Sequence, residues 1–193
     1  MAAAAEVEIK FHIQDLELLS QKLRASGFHL VTPRTHEMNT LYDTPNRALR
    51  LGGELLRIRK YGDVWKVTHK AKSGVGKHKT RTETETRIED GEALASIFGK
   101  LGLQPCFRYE KFRTEWSDGD GHVVLDETPI GDIAEIEGQP EWIDATAVKL
   151  GIGESDYITM SYAQMFFDWK RRTGSSAHEM TWQAIGTPAP IHT

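Results

Sequence analysis

Thiols are nearly absent. Of 193 residues only Cys106 is a cysteine, so no disulfide framework can form, and a reducing cytoplasm is the expected compartment. Cys106 sits in QPCFRY without a partner motif and reads as a buried or half-buried thiol. Long apolar runs are missing too: none approaches the ~20 residues of a spanning helix, so no membrane partner is expected. The start, MAAAAEVEIK, lacks a basic segment followed by an apolar stretch, and therefore reads as no secretory leader. Positive charge is not in excess. The formal net charge of -4 argues against nucleic acid as a partner, since that role needs a basic surface. Eight histidines are present, but none are spaced as a ligand pair, and with a lone cysteine zinc is disfavoured. No internal repeat occurs at a fixed period.

What remains suits one domain. Hydrophobic residues make up 39% of the chain, enough for a core, and charged residues 27%, so their arrangement carries the information. Glu6–Ile13 reads as a strand. DLELLSQKLRASG reads as a helix capped by Asp15, with Leu16, Leu19 and Leu23 on one stripe and Gly27 at its end. YDTPN is a turn signal joining strands near His36–Leu41 and Glu54–Lys60. ELLRIRK, VWKVTHK and TRTETETRI have strand periodicity. DGEALASIFGKLG is a helix capped by Asp90. Strands are expected at Arg108–Trp116, His122–Glu127 and Ile133–Glu137, with SDGDG as the hairpin turn between the first two. EWIDATAVKLG and SYAQMFFDWKRR read as helices, the latter with Tyr162, Met165, Phe166 and Trp169 at core spacing. Residues 1–172 then form the domain, and 173–193 read as a poorly ordered tail.

The strands share one habit. In EVEIK, Glu6, Glu8 and Lys10 lie on one face and Val7 and Ile9 on the other. The same holds for Arg57 and Arg59; for Lys66, Thr68 and Lys70; for Arg81, Glu83, Glu85 and Arg87; for Lys111, Arg113 and Glu115; for Asp126; and for Glu135 and Glu137. A wet face of an antiparallel sheet commonly looks like this. Two points favour another arrangement. Solvated faces usually mix Thr, Ser, Gln and Lys, and the apolar helices here need a sheet surface to cover. If they cover the apolar faces, the sheet curls into a barrel with a polar interior. Burying unpaired ions costs several kcal/mol. A polyanion held by the bases, with a metal held by the carboxylates, would offset that cost, and oxygen ligands beside phosphate suit Mg2+ or Mn2+.

With those residues set out, the sequence resembles the CYTH superfamily of triphosphate tunnel metalloenzymes, which includes class IV adenylate cyclase and thiamine triphosphatase. The ExExK hallmark is EVEIK, and the likeness runs through YDTPN, LRIR, VTHK ending at Lys70, RTETE, EKFR, VVLDETPIG, AEIEG and SY (Ser161, Tyr162). His69 stands where an apolar residue is commoner. The resemblance implies an α+β fold: a closed antiparallel β-barrel tunnel of about eight strands with helices packed outside. It implies that Glu6, Glu8, Glu135 and Glu137 bind the metal, and that Glu83, Glu85 and Asp126 are further metal- or water-orienting acids. Arg57, Arg59, Lys70, Lys111 and Arg113 would clamp phosphate. Lys10 would contact phosphate or orient the nucleophile, and Lys66 and Arg81 would line the tunnel or its rim.

The loop AKSGVGKHK is not a Walker motif, because GK is not followed by Ser or Thr and a strand pattern follows. It reads as a basic lid or a plain hairpin loop. Two reactions fit one interior. Water can attack the terminal phosphorus of ATP, thiamine triphosphate or tripolyphosphate. Alternatively the ribose 3′-hydroxyl of ATP can attack the α-phosphorus, giving cyclic AMP and pyrophosphate. Hydrolysis needs no ribose positioning and is the first expectation, with cyclisation second. A polyphosphate- or nucleotide-binding module without turnover is the third, although a simple anion binder would need only bases. The apolar C-terminal helix could pair two copies into a homodimer.

Overall fold

Alternation along the strands fixes which way each side chain faces, and the helices decide which face is outside. The computed structural model describes residues 4–72, 74 and 76–191. In chain order the elements are β1 (Ala4–His12), α1 (Leu16–Ala25), β2 (His29–Asp43), α2 (Ala48–Gly52), β3 (Leu55–Tyr61), β4 (Val64–Lys70) and β5 (Lys79–Ile88). Then come α3 (Gly91–Lys100), β6 (Gln104–Ser117), β7 (His122–Glu127), β8 (Ile133–Glu137), α4 (Pro140–Leu150), α5 (Tyr162–Thr173) and the short α6 (Trp182–Ile185). The strands close in the order β1-β5-β4-β3-β2-β6-β7-β8, every neighbour antiparallel, with β8 returning to β1. Closure removes the free edges that an open sheet would present.

The barrel is apolar outside. Ile9, Phe11, Val123, Leu125, Ala134 and Ile136 point outward and pack beneath Leu19 and Leu23 of α1 and Ile143, Ala147 and Leu150 of α4. Asp15 caps α1 by accepting from the Leu18 N–H, and Asp90 caps α3 by accepting from Glu92 and Ala93. Trp142 of α4 lies so close over Gly121 and Gly138 that a Cβ at either would stand 2.4 or 2.7 Å from its ring. A second cluster joins Phe107 and Tyr109 of β6 and Ile133 of β8 to Tyr162, Met165 and Phe166 of α5, together with Ala177 and Met180.

Three expectations change. β2 runs well beyond His36–Leu41, and it bends through register shifts on either side of Pro33, where the ring removes a ladder donor. Cys106 is exposed; it lies on the opposite side of β6 from Phe107 and Tyr109. The tail is packed. β6 pairs with β7 only from Phe112 onward, which leaves a strand edge at residues 108–110. Met180 fills that edge: its N–H donates to the Arg108 carbonyl and its carbonyl accepts from the Glu110 N–H, each at 3.0 Å. Met180 is fully buried, Trp182 nearly so, and Arg34 donates to the Pro190 carbonyl. An unpaired edge and an apolar surface thus order a segment whose composition reads as loose. His192 and Thr193, at its end, lie outside the described residues.

Candidate active site

Neighbouring strands bring the charged faces together inside the barrel. β1 and β8 pair with Glu8 opposite Glu137 and Lys10 opposite Glu135. β4 and β5 set Thr68 opposite Glu85 and Lys70 opposite Glu83, and β6 and β7 set Arg113 opposite Asp126. All of these except Thr68 and Asp126, which stand behind them, line a cavity of about 530 Å3 together with Glu6, Arg57 and Lys111. The sequence-predicted acids and bases therefore do converge. Arg87 does not join them and is exposed near the end of β5.

Most of the bases meet an acid. Lys10 donates to Glu8 at 2.6 Å and lies 3.1 Å from Glu135. Lys70 spans Glu6 at 2.5 Å and Glu83 at 2.8 Å. Arg59 and Lys66 both hold Glu85, at 2.6 and 2.5 Å. Arg113 binds both oxygens of Asp126 and reaches Glu135 at 2.7 Å. Lys111 donates to Asp126 at 2.9 Å. Arg57 donates to the Tyr109 hydroxyl and Thr68, and Arg81 turns to the backbone carbonyls of Ala71 and Gly53 at the rim. Asp126, expected as a metal- or water-orienting acid, is fully buried and enclosed by the donors Lys111, Arg113 and Tyr162.

Charge state follows from these partners. Burial works against ionisation of Glu8, but Lys10 and Lys79 outweigh it and hold its pKa at about 2. Glu85 is likewise held at about 2 against burial by Arg59 and Lys66. Lys10 stays protonated despite burial because Glu135 and Glu8 flank it. Glu137 is the exception: desolvation, and then the negative charges of Glu6, Glu135 and Glu8, push it up to about 7. It has no ion pair among the described residues.

Sequence reasoning missed four groups. Glu37 is fully buried and sits between Arg59 and Lys111, held well below the usual carboxylate range by Lys111, Arg59, Arg113 and Arg57 against its burial. The only signal was a weak one, a single acid alternating with His36 and Met38. Lys79, assigned to the basic loop, reaches into the cavity and binds Glu8. The sequence pattern gives Tyr109 no role, and Tyr162 only a place on the helical stripe and in the SY likeness, yet their hydroxyls contact Arg57 and Asp126. In the loop itself, Lys77 and His78 are tied to Asp144 of α4 at 3.0 and 2.9 Å; Ser73 and Val75 of the same loop lie outside the described residues.

Two features bear on ligands. Arg57 Nε and Arg59 Nε are buried donors with no acceptor among the described residues, which suits an incoming anion. Among the described residues no three His, Cys, Asp or Glu side chains form a group that could hold a metal ion. The convergent donors at Glu6, Glu8, Glu135 and Glu137 are nonetheless all carboxylate oxygen, the chemistry hard divalent cations take. The crowding that raises Glu137 is what a cation would relieve. A second cleft of about 1130 Å3 opens beside the cavity, shares Lys79 and Arg81 with it, and is lined by Arg47, Arg50, Lys72, Phe107 and Phe167.

Comparison with known proteins agrees with this geometry. The CYTH domain family model matches residues 4–162. The chain is 29% identical over 171 residues to a Methanocaldococcus jannaschii protein named "Putative adenylate cyclase MJ0240", covering 83% of this chain and 97% of that one. It is 26% identical over 172 residues to "Adenylate cyclase CyaB" of Aeromonas hydrophila, covering 81% and 86%. An X-ray structure from Vibrio parahaemolyticus has the same fold, with a TM-score of 0.75 at 20% identity, over 86% of this chain and 99% of that one.

Proposed function

The chain belongs to the CYTH domain family, and on that premise we propose that it is a divalent-cation-dependent triphosphatase working inside its barrel. The observation that carries this reading is the enclosed interior of both charge signs, with spare guanidinium donors at Arg57 and Arg59. Buried acids and bases paired only with each other gain little over apolar residues, so a stable two-sign interior calls for another purpose. A triphosphate arriving with a cation lets the pairs exchange partners without leaving any ion unpaired.

Arg57, Arg59, Lys70, Lys111 and Arg113 take the phosphate oxygens, and Lys10 and Lys79 add charge where the acids stand. Lys10 remains protonated and so orients by charge and does not remove a proton. Glu6, Glu8, Glu135 and Glu137 would hold Mg2+ or Mn2+, which supplies charge neutralisation on phosphate oxygens when bound. Glu83 and Glu85 hold Lys70, Arg59 and Lys66 in place and, with Asp126, would be the acids that orient water. Preorganised cations around a leaving diphosphate are the larger part of phosphoryl-transfer catalysis. The neighbouring cleft would take the organic part of a substrate.

The second reading is class IV adenylate cyclase, favoured by the names of both curated relatives. Incubation with tripolyphosphate, ATP or thiamine triphosphate and Mg2+ or Mn2+ separates the two. Orthophosphate is the expected product. Cyclic AMP with pyrophosphate from ATP would instead establish the cyclase, and tight binding without any product would establish a binding module.

A further inference from the structure

Tyr162 is the first residue of α5, a helix that packs through Met165 and Phe166 on Phe107, Tyr109 and Ile133, and its side chain ends among the interior charges. Its hydroxyl donates to Asp126 Oδ2 at 2.5 Å, the atom that also accepts from Lys111 and Arg113. The Lys111 ammonium stands 4.3 Å from the centre of its ring, and that of Lys10 5.7 Å. The ring stacks on Tyr109 at 5.6 Å and 18°, and the Tyr109 hydroxyl accepts from Arg57. Ser161 caps the helix, and Met165 and Phe166 lock it against Phe107 and Met180.

A phenylalanine would fill this core position as well. A buried hydroxyl costs free energy unless it is bonded, so its presence has to be explained by its partner. That partner is a fully buried carboxylate already held by two cations. On the triphosphate reading, on which this inference rests, Lys111 and Arg113 turn toward phosphate when substrate enters. Both then divide their donors between phosphate and Asp126, and the phenol, which has no phosphate to reach, keeps its full hold on Asp126.

We propose that Tyr162 is a positioning residue of the phosphate clamp: its hydroxyl fixes Asp126, which aligns Lys111 and Arg113, while its ring is the surface on which Lys111 rests. Helix α5, which follows the last strand of the barrel, thereby sets the geometry of the interior.

The test compares Tyr162→Phe, Tyr162→Leu and Phe166→Leu, with tripolyphosphate as the probe. Tyr162→Phe should lower kcat about tenfold, the loss of one charge-assisted hydrogen bond, with metal-free Kd changed less than about twofold. Tyr162→Leu should in addition weaken metal-free Kd about tenfold, because the ring that faces the ammonium is gone. Phe166→Leu, which lies in the same helix away from the charges, should lower the melting temperature at least as much and leave kcat within about twofold where it is folded. In an Asp126→Asn background, Tyr162→Phe should cost no more, since the two act as one unit. Unaltered kcat in Tyr162→Phe, an equal kcat loss in Phe166→Leu, or a fully additive double variant would each overturn the proposal.

A measurement on the unmodified protein guards against misfolded variants. The Lys111 ε-methylene protons should appear upfield in NMR, shifted by the ring, and remain so with tripolyphosphate bound; an unshifted signal overturns the proposal. If wild type turns over no triphosphate, the triphosphatase reading fails and the Kd comparison still decides this inference. If wild type turns over and Tyr162→Phe matches it, only this inference fails.

Discussion

At Arg57 the guanidinium uses its terminal nitrogens on Tyr109 and Thr68 and leaves its Nε without an acceptor among the described residues. A phosphate oxygen would complete it, and a charge-assisted hydrogen bond is worth ~1.5–3 kcal/mol. Arg57→Ala should therefore weaken tripolyphosphate binding about 10- to 100-fold. Glu8 lies on the other side of the division of labour. It is 4% exposed and accepts from Lys10 and Lys79, so Glu8→Gln removes a carboxylate and frees two ammonium groups. Metal-dependent kcat should fall about 100-fold or more, while metal-free Kd for tripolyphosphate stays level or tightens, because positive charge is released toward the anion. Calorimetry without metal and phosphate release with it separate the two effects. If both variants behaved as wild type, the assignment of the interior would be wrong. Both residues were legible because each belongs to a run of charges at alternate positions. Glu37 was not, since its strand offers one acid beside Asn39 and Leu41, a pattern any half-buried strand can show.

At the scale of elements, legibility followed the strength of local signals. Asp15 and Asp90 preceded apolar stripes and do cap α1 and α3. α2 was invisible because it is five residues long, starts from Arg47 in the left-handed region at φ 59°, and has its first N–H groups accepted by Thr44 and Asp43, which lie before the usual cap position. The C-terminal strap was misread for a different reason. Residues 174–191 are polar with Gly and Pro, and their order comes from a vacant strand edge more than 60 residues away in sequence, as the Met180 to Arg108 pairing shows. Tertiary context of this kind leaves no periodicity to read. The strap lies beyond the residues matched by the CYTH family. Ending the chain at Gly174 would expose the Tyr109 edge and remove Met180 and Trp182, each of which contributes about 1.5–3 kcal/mol on burial. The truncated protein should therefore lose about 3 kcal/mol or more in urea unfolding. A midpoint equal to that of the full chain would show that the strap contributes nothing.

For the whole molecule the apolar-outside, charged-inside arrangement was foreseeable, because helices with apolar stripes must cover something and only the apolar strand faces were available. Its consequence is a stability curve shaped by interior carboxylates of opposite behaviour. Glu8 and Glu85 titrate at about 2 in the folded protein against an ordinary 4.5, so their contribution is complete above 4.5 and is lost as pH falls toward 2. Glu137 runs the other way. Its folded pKa is about 7 against 4.5, so the folded state binds the proton more tightly and stability is lost as pH rises from 4.5 through 7. Glu6, raised in the same direction by burial and by Glu8, adds to this second limb. In EDTA the melting temperature should thus peak near pH 5, falling steeply toward acid and only slightly toward pH 8, since Glu137 is exposed and water screens its charge. Glu137→Gln should flatten the neutral limb and leave the acid limb intact. A divalent cation competes with the proton for the same oxygens, so the rise in melting temperature caused by Mg2+ should be larger at pH 8 than at pH 6. Equal Mg2+ shifts at both values, in a protein that shows the neutral limb, would place the cation away from Glu137.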